Sequence, residues 1–165
     1  MDSITLAFVT GNRNKFEEVR RIFDAEGVRV EQVDAKGVEI QSDSLKDIAS
    51  NAAVESAKHL RRPVLIEDAG FCVHQLNGFP GPYSSYVLKT LGCAGILNLM
   101  KDAAERTAEF RSALAYCELH GRCEVFEGMV HGKVSHAVMA GRMFGFDPIF
   151  IPSEGDGRAF SQMEI

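Results

Sequence analysis

Between Ile4 and Ile66 the chain alternates apolar runs with helical patterns in the order β-α-β-α-β, and this alternation constrains the fold more than any other feature. Strands separated by helices are joined by crossovers, which make parallel pairs and an α/β architecture. The first strand is read over Ile4 to Thr10. Asn12 or Asn14 can cap the next helix, which runs to about Ala25 with Phe16, Val19, Ile22 and Phe23 on one face. Gly27 ends it, and Val28 to Val33 alternates as a second strand. After a loop from Lys36 to Asp43, Ser44 opens a second helix, with Asp47 completing a weak capping box. That helix carries Ile48, Ala52, Ala53, Ser56 and Ala57 and stops at His59-Leu60-Arg61-Arg62 before Pro63. Val64-Leu65-Ile66 then reads as a short buried strand that delivers Glu67 and Asp68 at its carboxyl end.

The second half punctuates differently. GFPGPYSSY is read as a rigid Gly/Pro loop, and Thr90 to Met100 as a helix opened or broken near Gly92. Thr107 to Tyr116 and Arg122 to Val134 read as antiparallel strands with His120-Gly121 in the turn. Phe144 to Pro152 is read as an aromatic loop. Without a linker or repeat, residues 1–165 are expected to form a single domain of two lobes. The net charge is −5, which lacks the basic field of a protein that binds nucleic-acid polymer. No apolar run is long enough to span a membrane, and MDSITLAFV has no positive leader region. The expectation is therefore no membrane partner and a cytoplasmic place. The cysteines at 72, 93, 117 and 123 lack metal-ligand spacing and are read as reduced thiols, with packing favoured over a bridge between Cys117 and Cys123.

Three segments can carry chemistry. Thr10-Gly11-Asn12, followed by Arg13, Asn14 and Lys15, lies where a strand enters a helix. Exposed amides and the helix dipole favour an anion there. Gly11 permits a backbone conformation closed to other residues, and Lys15 can bring an ammonium to the same place. The same residues also fit a plain turn with a capping Asn and a solvated Lys. Glu67 and Asp68 lie at a strand end, where ligands of α/β sheets gather. Such a pair must be solvated, hydrogen-bonded or bound to metal; oxygen donors beside a phosphate site suit Mg²⁺, with Glu39 as a further ligand. Phe144-Gly145-Phe146-Asp147 can form a flat slot for a base, or equally a core-packing turn.

Taken in order, VTGNRNKFEEV, GVEIQS, PVLIEDAGFCVHQLNGFPGPYSSY and FGFDPIFIP resemble the inosine/xanthosine triphosphate pyrophosphatase family, enzymes that cleanse the nucleotide pool of non-standard purines. The likeness runs through nearly the whole chain. It implies a twisted, mixed β-sheet with flanking helices in two lobes, a nucleotide cleft between them, a homodimer, and Mg²⁺-dependent cleavage of ITP, dITP and XTP to monophosphate and pyrophosphate. Residue by residue it implies that Thr10, Gly11, Asn12 and Lys15 hold the phosphates, with Arg13 and Asn14 in the same loop. It further implies that Glu39 and Asp68 hold metal, that Asp68 also accepts a proton, and that Asn51 and Ser85 face the triphosphate; the neighbouring Glu67 is a second candidate for the proton in the mechanism read here. Phe144, Gly145, Phe146 and Asp147 would hold base and sugar.

The chain departs from the family at Ala69, where many members have Ser, so the expected contact there is the backbone amide. It also ends at FSQMEI, where the family continues to a Lys and a Ser-His-Arg motif; the expectation is a truncated carboxyl end. Arg142 and Arg158 are the basic residues nearest the aromatic loop, and neither sits in that motif. Two rival functions fit the same residues: a pyrophosphatase for other modified nucleotides, such as methylated pyrimidine triphosphates, and a nucleotide sensor without catalysis.

Overall fold

The computed structural model describes every residue except 1–4, 36, 38, 120, 121, 164 and 165. The expected strand start at Ile4, the loop start at Lys36 and the turn at His120-Gly121 therefore lie outside the described residues. Among the described residues the order is β1 (Thr5–Val9), α1 (Arg13–Ala25), β2 (Arg29–Val33), α2 (Leu45–Leu60), β3 (Val64–Val73), β4 (Pro80–Gly81), α3 (Ser84–Thr90), α4 (Gly92–Leu99), β5 (Thr107–Cys117), β6 (Cys123–Val134) and β7 (Phe150–Pro152). The strands form one open mixed sheet in the order β2-β1-β3-β5-β6-β7, with β4 pairing to β3. β1 is parallel to both β2 and β3, whereas β4 and β7 are antiparallel to their neighbours.

The chain divides into two compact units. The first comprises residues 1–68 and 113–127. Its strands alternate faces, as period-two geometry requires. Phe8, Val30 and Leu65 meet Phe16, Val19 and Phe23 of α1. On the other face Ala7, Val9, Val64 and Ile66 pack with Ala49, Ala53 and Ala57 of α2, where small side chains line the helix. The expected α1 face is corrected at Ile22, which is 66% exposed. At 100° per residue, position 22 falls well off the stripe formed by 16, 19 and 23. Asn12 caps α1, and Ser44 caps α2 by accepting from the Asp47 N–H.

The second unit comprises residues 69–112 and 128–165. Its core is aromatic: Phe71 lies 5.1 Å from both Phe110 and Phe146, and Phe150 lies 4.9 Å from both Phe110 and Phe160. Arg106 donates to three main-chain carbonyls, Met100 at 2.6 Å, Ser135 at 2.7 Å and Val134 at 2.9 Å. This clamp fixes where the chain leaves β6 toward residues 142–147.

Three expectations change. β3 does not stop at Ile66; it runs to Val73, so Glu67 and Asp68 lie within the strand. The reason is a change of partner: β1 pairs with Val64 and Leu65, and β4 then pairs with Phe71 and Cys72. The GFPGPYSSY segment is not all loop, because it forms β4 after a cis Phe79–Pro80 bond and enters α3 at Ser84. Ser84 Oγ accepts from the Phe71 N–H at 2.8 Å and donates to the Gly81 carbonyl at 2.6 Å, which anchors that helix start. Finally, Cys117 and Cys123 are joined in a disulfide with Cα atoms 4.1 Å apart, contrary to the reading of four thiols. They end β5 and begin β6, and the Glu118 N–H donates to the Arg122 carbonyl at 2.9 Å, so the hairpin brings the two sulfurs together. Cys72 and Cys93 are free thiols.

Candidate active site

The loop between β1 and α1 is built by its own side chains. The Thr10 N–H donates to the Val33 carbonyl and Gln32 Nε2 to the Thr10 carbonyl, both at 3.0 Å, so β2 holds the end of β1 in place. Thr10 Oγ1 accepts from the Asn12 N–H at 3.1 Å. Asn12 Oδ1 accepts from Asn14 N–H at 3.0 Å and Lys15 N–H at 3.3 Å. That leaves the N–H groups of Gly11 and Arg13 as loop donors without an acceptor among the described residues. An anion seated there would meet those two amides and the positive end of α1.

Gly11 does not adopt a left-handed backbone, which corrects the expected reason for glycine at this position. Space explains it better: a Cβ here would lie 3.3 Å from Asp34 Oδ1. Asp34 follows β2 and was not signalled by any motif; only the parallel β1–β2 register brings it to the loop.

Extending the β1–β3 register by two residues sets Thr10 opposite Glu67. Lys15 Nζ and Glu67 Oε2 are 2.6 Å apart, with the side chains 25% and 14% exposed. Adjacent strand residues face opposite ways, so Glu67 shares the α1 face with Leu65, and Asp68 shares the α2 face with Ile66. The acidic pair is thereby split between two environments. Asn51 lies exposed on α2, and Glu39 is exposed in the connection before that helix. Among the described residues no group of three or more His, Cys, Asp or Glu is arranged to hold a metal.

In the second unit Ala69 is half-buried on β3, and Ser85 is exposed on α3 beside the anchored Ser84. Phe144 and Gly145 are half-buried. Phe146 is 2% exposed and stacks on Phe71, so its ring belongs to the aromatic core. Asp147 is buried and pairs with Arg142 Nη2 at 3.1 Å. Cys93 Sγ lies 3.5 Å from the Gly145 carbonyl. Burial pushes the Cys93 thiol up, and the Asp147 charge pushes it further.

Comparison with known proteins joins these features to a family. The pattern of the Ham1 family matches residues 6–165. A dITP/XTP pyrophosphatase of Hyperthermus butylicus is 44% identical over 164 residues, covering 99% of this chain and 85% of its own. One from Methanopyrus kandleri is 44% identical, covering 96% and 84%. Among solved structures, a nucleoside-triphosphatase / dITP/XTP pyrophosphatase from Mycobacterium abscessus is 27% identical with a TM-score of 0.78, covering 98% of this chain and 90% of its own. The Staphylococcus aureus Ham1 protein superposes with a TM-score of 0.83 at 24% identity, covering 98% and 87%, a likeness of fold. With that pattern spanning its length and relatives of this identity across nearly all of it, the chain belongs to the Ham1 family.

Proposed function

We propose that the chain hydrolyses non-standard purine nucleoside triphosphates, ITP, dITP and XTP, to the monophosphate and pyrophosphate, with Mg²⁺ as cofactor. The observation that supports it most directly is the 2.6 Å contact between Lys15 and Glu67, which joins the cation of the amide loop to the acidic strand. The relatives named dITP/XTP pyrophosphatase supply the substrate class. A homodimer in the cytoplasm completes the proposal.

In this reading the amides of Gly11 and Arg13, with Thr10, Asn12, Asn14 and Lys15, take the phosphates. Water attacks the α-phosphorus, and the bond from that phosphorus to the bridging oxygen breaks. Asp68 accepts the water's proton. Glu67 is the weaker candidate for that role because the Lys15 ammonium already occupies it. Lys15 and the loop amides offset charge developing on the leaving pyrophosphate. Mg²⁺ suits the donors at hand, since it binds through one or two carboxylates and retains water; Asp68 and Glu39 would hold it. When bound it would neutralise phosphate charge. Phe144, Gly145, Phe146 and Asp147 are the residues for base and sugar, with Phe146 acting from within the core. Asn51, Ser85 and the Ala69 amide complete the set.

The test is pyrophosphate release from dITP and XTP with Mg²⁺, against dATP and against chelator. Release from dITP and XTP that stops with chelator is expected. Absence of release from both would remove the proposal.

A further inference from the structure

We propose that Gln32 is a positioning residue that aims the Gly11 amide at the phosphates; this rests on the proposed function. Gln32 lies on β2 beside Phe8 in the parallel register, and its Nε2 donates to the Thr10 carbonyl at 3.0 Å. That carbonyl and the Gly11 N–H belong to one peptide unit. Among the described residues the cis bond is at Phe79–Pro80, so the Thr10–Gly11 unit is trans and planar. In a trans unit the carbonyl and the N–H point in opposite directions. A hold on the first therefore sets the direction of the second.

β1 lies between β2 and β3. With the Thr10 carbonyl turned to Gln32 on β2, the Gly11 N–H turns away from β2, toward the β3 side. On that side Lys15 Nζ meets Glu67 Oε2 at 2.6 Å. The Gly11 amide and the Lys15 ammonium thus converge on one anion position. β2 ends at Val33, whose carbonyl accepts from the Thr10 N–H, so the Thr10 carbonyl one step further on is held by a side chain.

Glycine makes the hold necessary. A peptide unit flips by concerted rotation of the ψ before it and the φ after it, and glycine populates φ of either sign at little cost. A flipped unit would present the Thr10 carbonyl oxygen to the phosphates in place of a donor. Gln32 opposes the flip, because the flip breaks its hydrogen bond to that oxygen. The Arg13 N–H needs no such hold. It shares a peptide unit with the Asn12 carbonyl, which accepts from the Phe16 N–H at 3.1 Å as the first bond of α1, so the helix sets its direction.

The test uses Gln32→Met, which keeps the length of the side chain and removes the donor, and Gln32→Glu, which keeps its shape and puts acceptors in the donor's place. Inorganic pyrophosphate is titrated into ¹⁵N-labelled protein to saturation while the Gly11 and Arg13 amide resonances are followed. At saturation a change in affinity no longer enters, and Arg13 is the internal control. In wild type both amide protons are expected to move downfield. In the variants the Gly11 response is lost and the Arg13 response stays. Pyrophosphate affinity and kcat/KM for dITP fall by about three- to tenfold in Gln32→Met. A wild-type Gly11 response in Gln32→Met, or an equal loss at both amides, would overturn the inference and leave Gln32 as a brace between strands. If Gln32→Met does not fold, Gln32→Glu carries the same comparison of the two amides. A Gln32-dependent Gly11 response in a protein that releases no pyrophosphate from dITP sinks the reaction and keeps the inference. Pyrophosphate that moves neither amide in wild type sinks both.

Discussion

Replacing Lys15 with Ala removes an ammonium that has two partners in this account, Glu67 in the folded protein and the leaving pyrophosphate in the reaction. The Nζ–Oε2 contact is 2.6 Å, and both side chains are mostly buried. Unit charges about 4 Å apart at an effective dielectric of about 20 attract by about 4 kcal/mol before desolvation. Desolvation and side-chain ordering offset most of this, and a mostly buried carboxylate that loses its ammonium partner costs about 1–3 kcal/mol. Lys15→Ala should therefore lower unfolding stability by about 1–2 kcal/mol. A charge-assisted hydrogen bond on the transition state is worth about 1.5–3 kcal/mol, so kcat/KM for dITP should fall by about 10- to 150-fold. The double variant Lys15→Ala/Glu67→Gln separates the roles, because it also removes the Glu67 charge without restoring the phosphate contact. Urea unfolding should show stability recovering in the double variant, and steady-state pyrophosphate release should show activity staying low. Recovery of both, or unchanged kcat/KM in Lys15→Ala, would refute the reasoning and leave Lys15 as a structural partner of Glu67.

Asp68→Asn keeps side-chain volume but removes the proton acceptor, so turnover with dITP should fall by at least about a hundredfold with the thermal midpoint nearly unchanged; a folded variant of near wild-type rate rules out Asp68 as the base. Burial pushes the Glu109 carboxyl up, but hydrogen bonding and charge from Arg111, aided by His74 and His131, outweigh it and hold the group below the ordinary carboxylate range. A depressed folded pKa contributes stability above the unfolded value near ~4.3 and loses it as pH falls through the folded value. Urea unfolding from about pH 5 downward should therefore weaken wild type more steeply than Glu109→Gln; parallel slopes would contradict this. The Cys117–Cys123 bridge closes a short hairpin, so reduction should cost about 2 kcal/mol in the chain-entropy account. Thiol titration of the unreduced protein should find Cys72 and Cys93 only, and four reactive thiols on unfolding without reductant would disprove the bridge.

Much of the first unit was legible because its signals are local. Asn12 and Ser44 cap within their own turns, and the β-α-β-α alternation follows from short-range periodicity. What escaped depends on partners distant in sequence. The extent of β3 is set by β4 as well as β1, so Ile66 gave no sign that the strand continues. Lys15 and Glu67 were singled out separately, but their contact follows from the β1–β3 register. Asp34 reaches Gly11 for the same kind of reason. Phe146 reads as a slot residue in FGFDP, and the Phe71 ring that draws it inward comes from β3, far away in sequence. Ser84 and Ser85 look alike in sequence, and only the fold distinguishes the anchored hydroxyl from the exposed one.

The central claim is attack of water on the α-phosphorus of a non-standard purine triphosphate. Hydrolysis of dITP in ¹⁸O-labelled water with Mg²⁺, followed by mass spectrometry of the products, tests it most directly. The account predicts equimolar dIMP and pyrophosphate, with the label on the dIMP phosphate and none on pyrophosphate. Label on pyrophosphate, or dIDP with free phosphate as products, would contradict it.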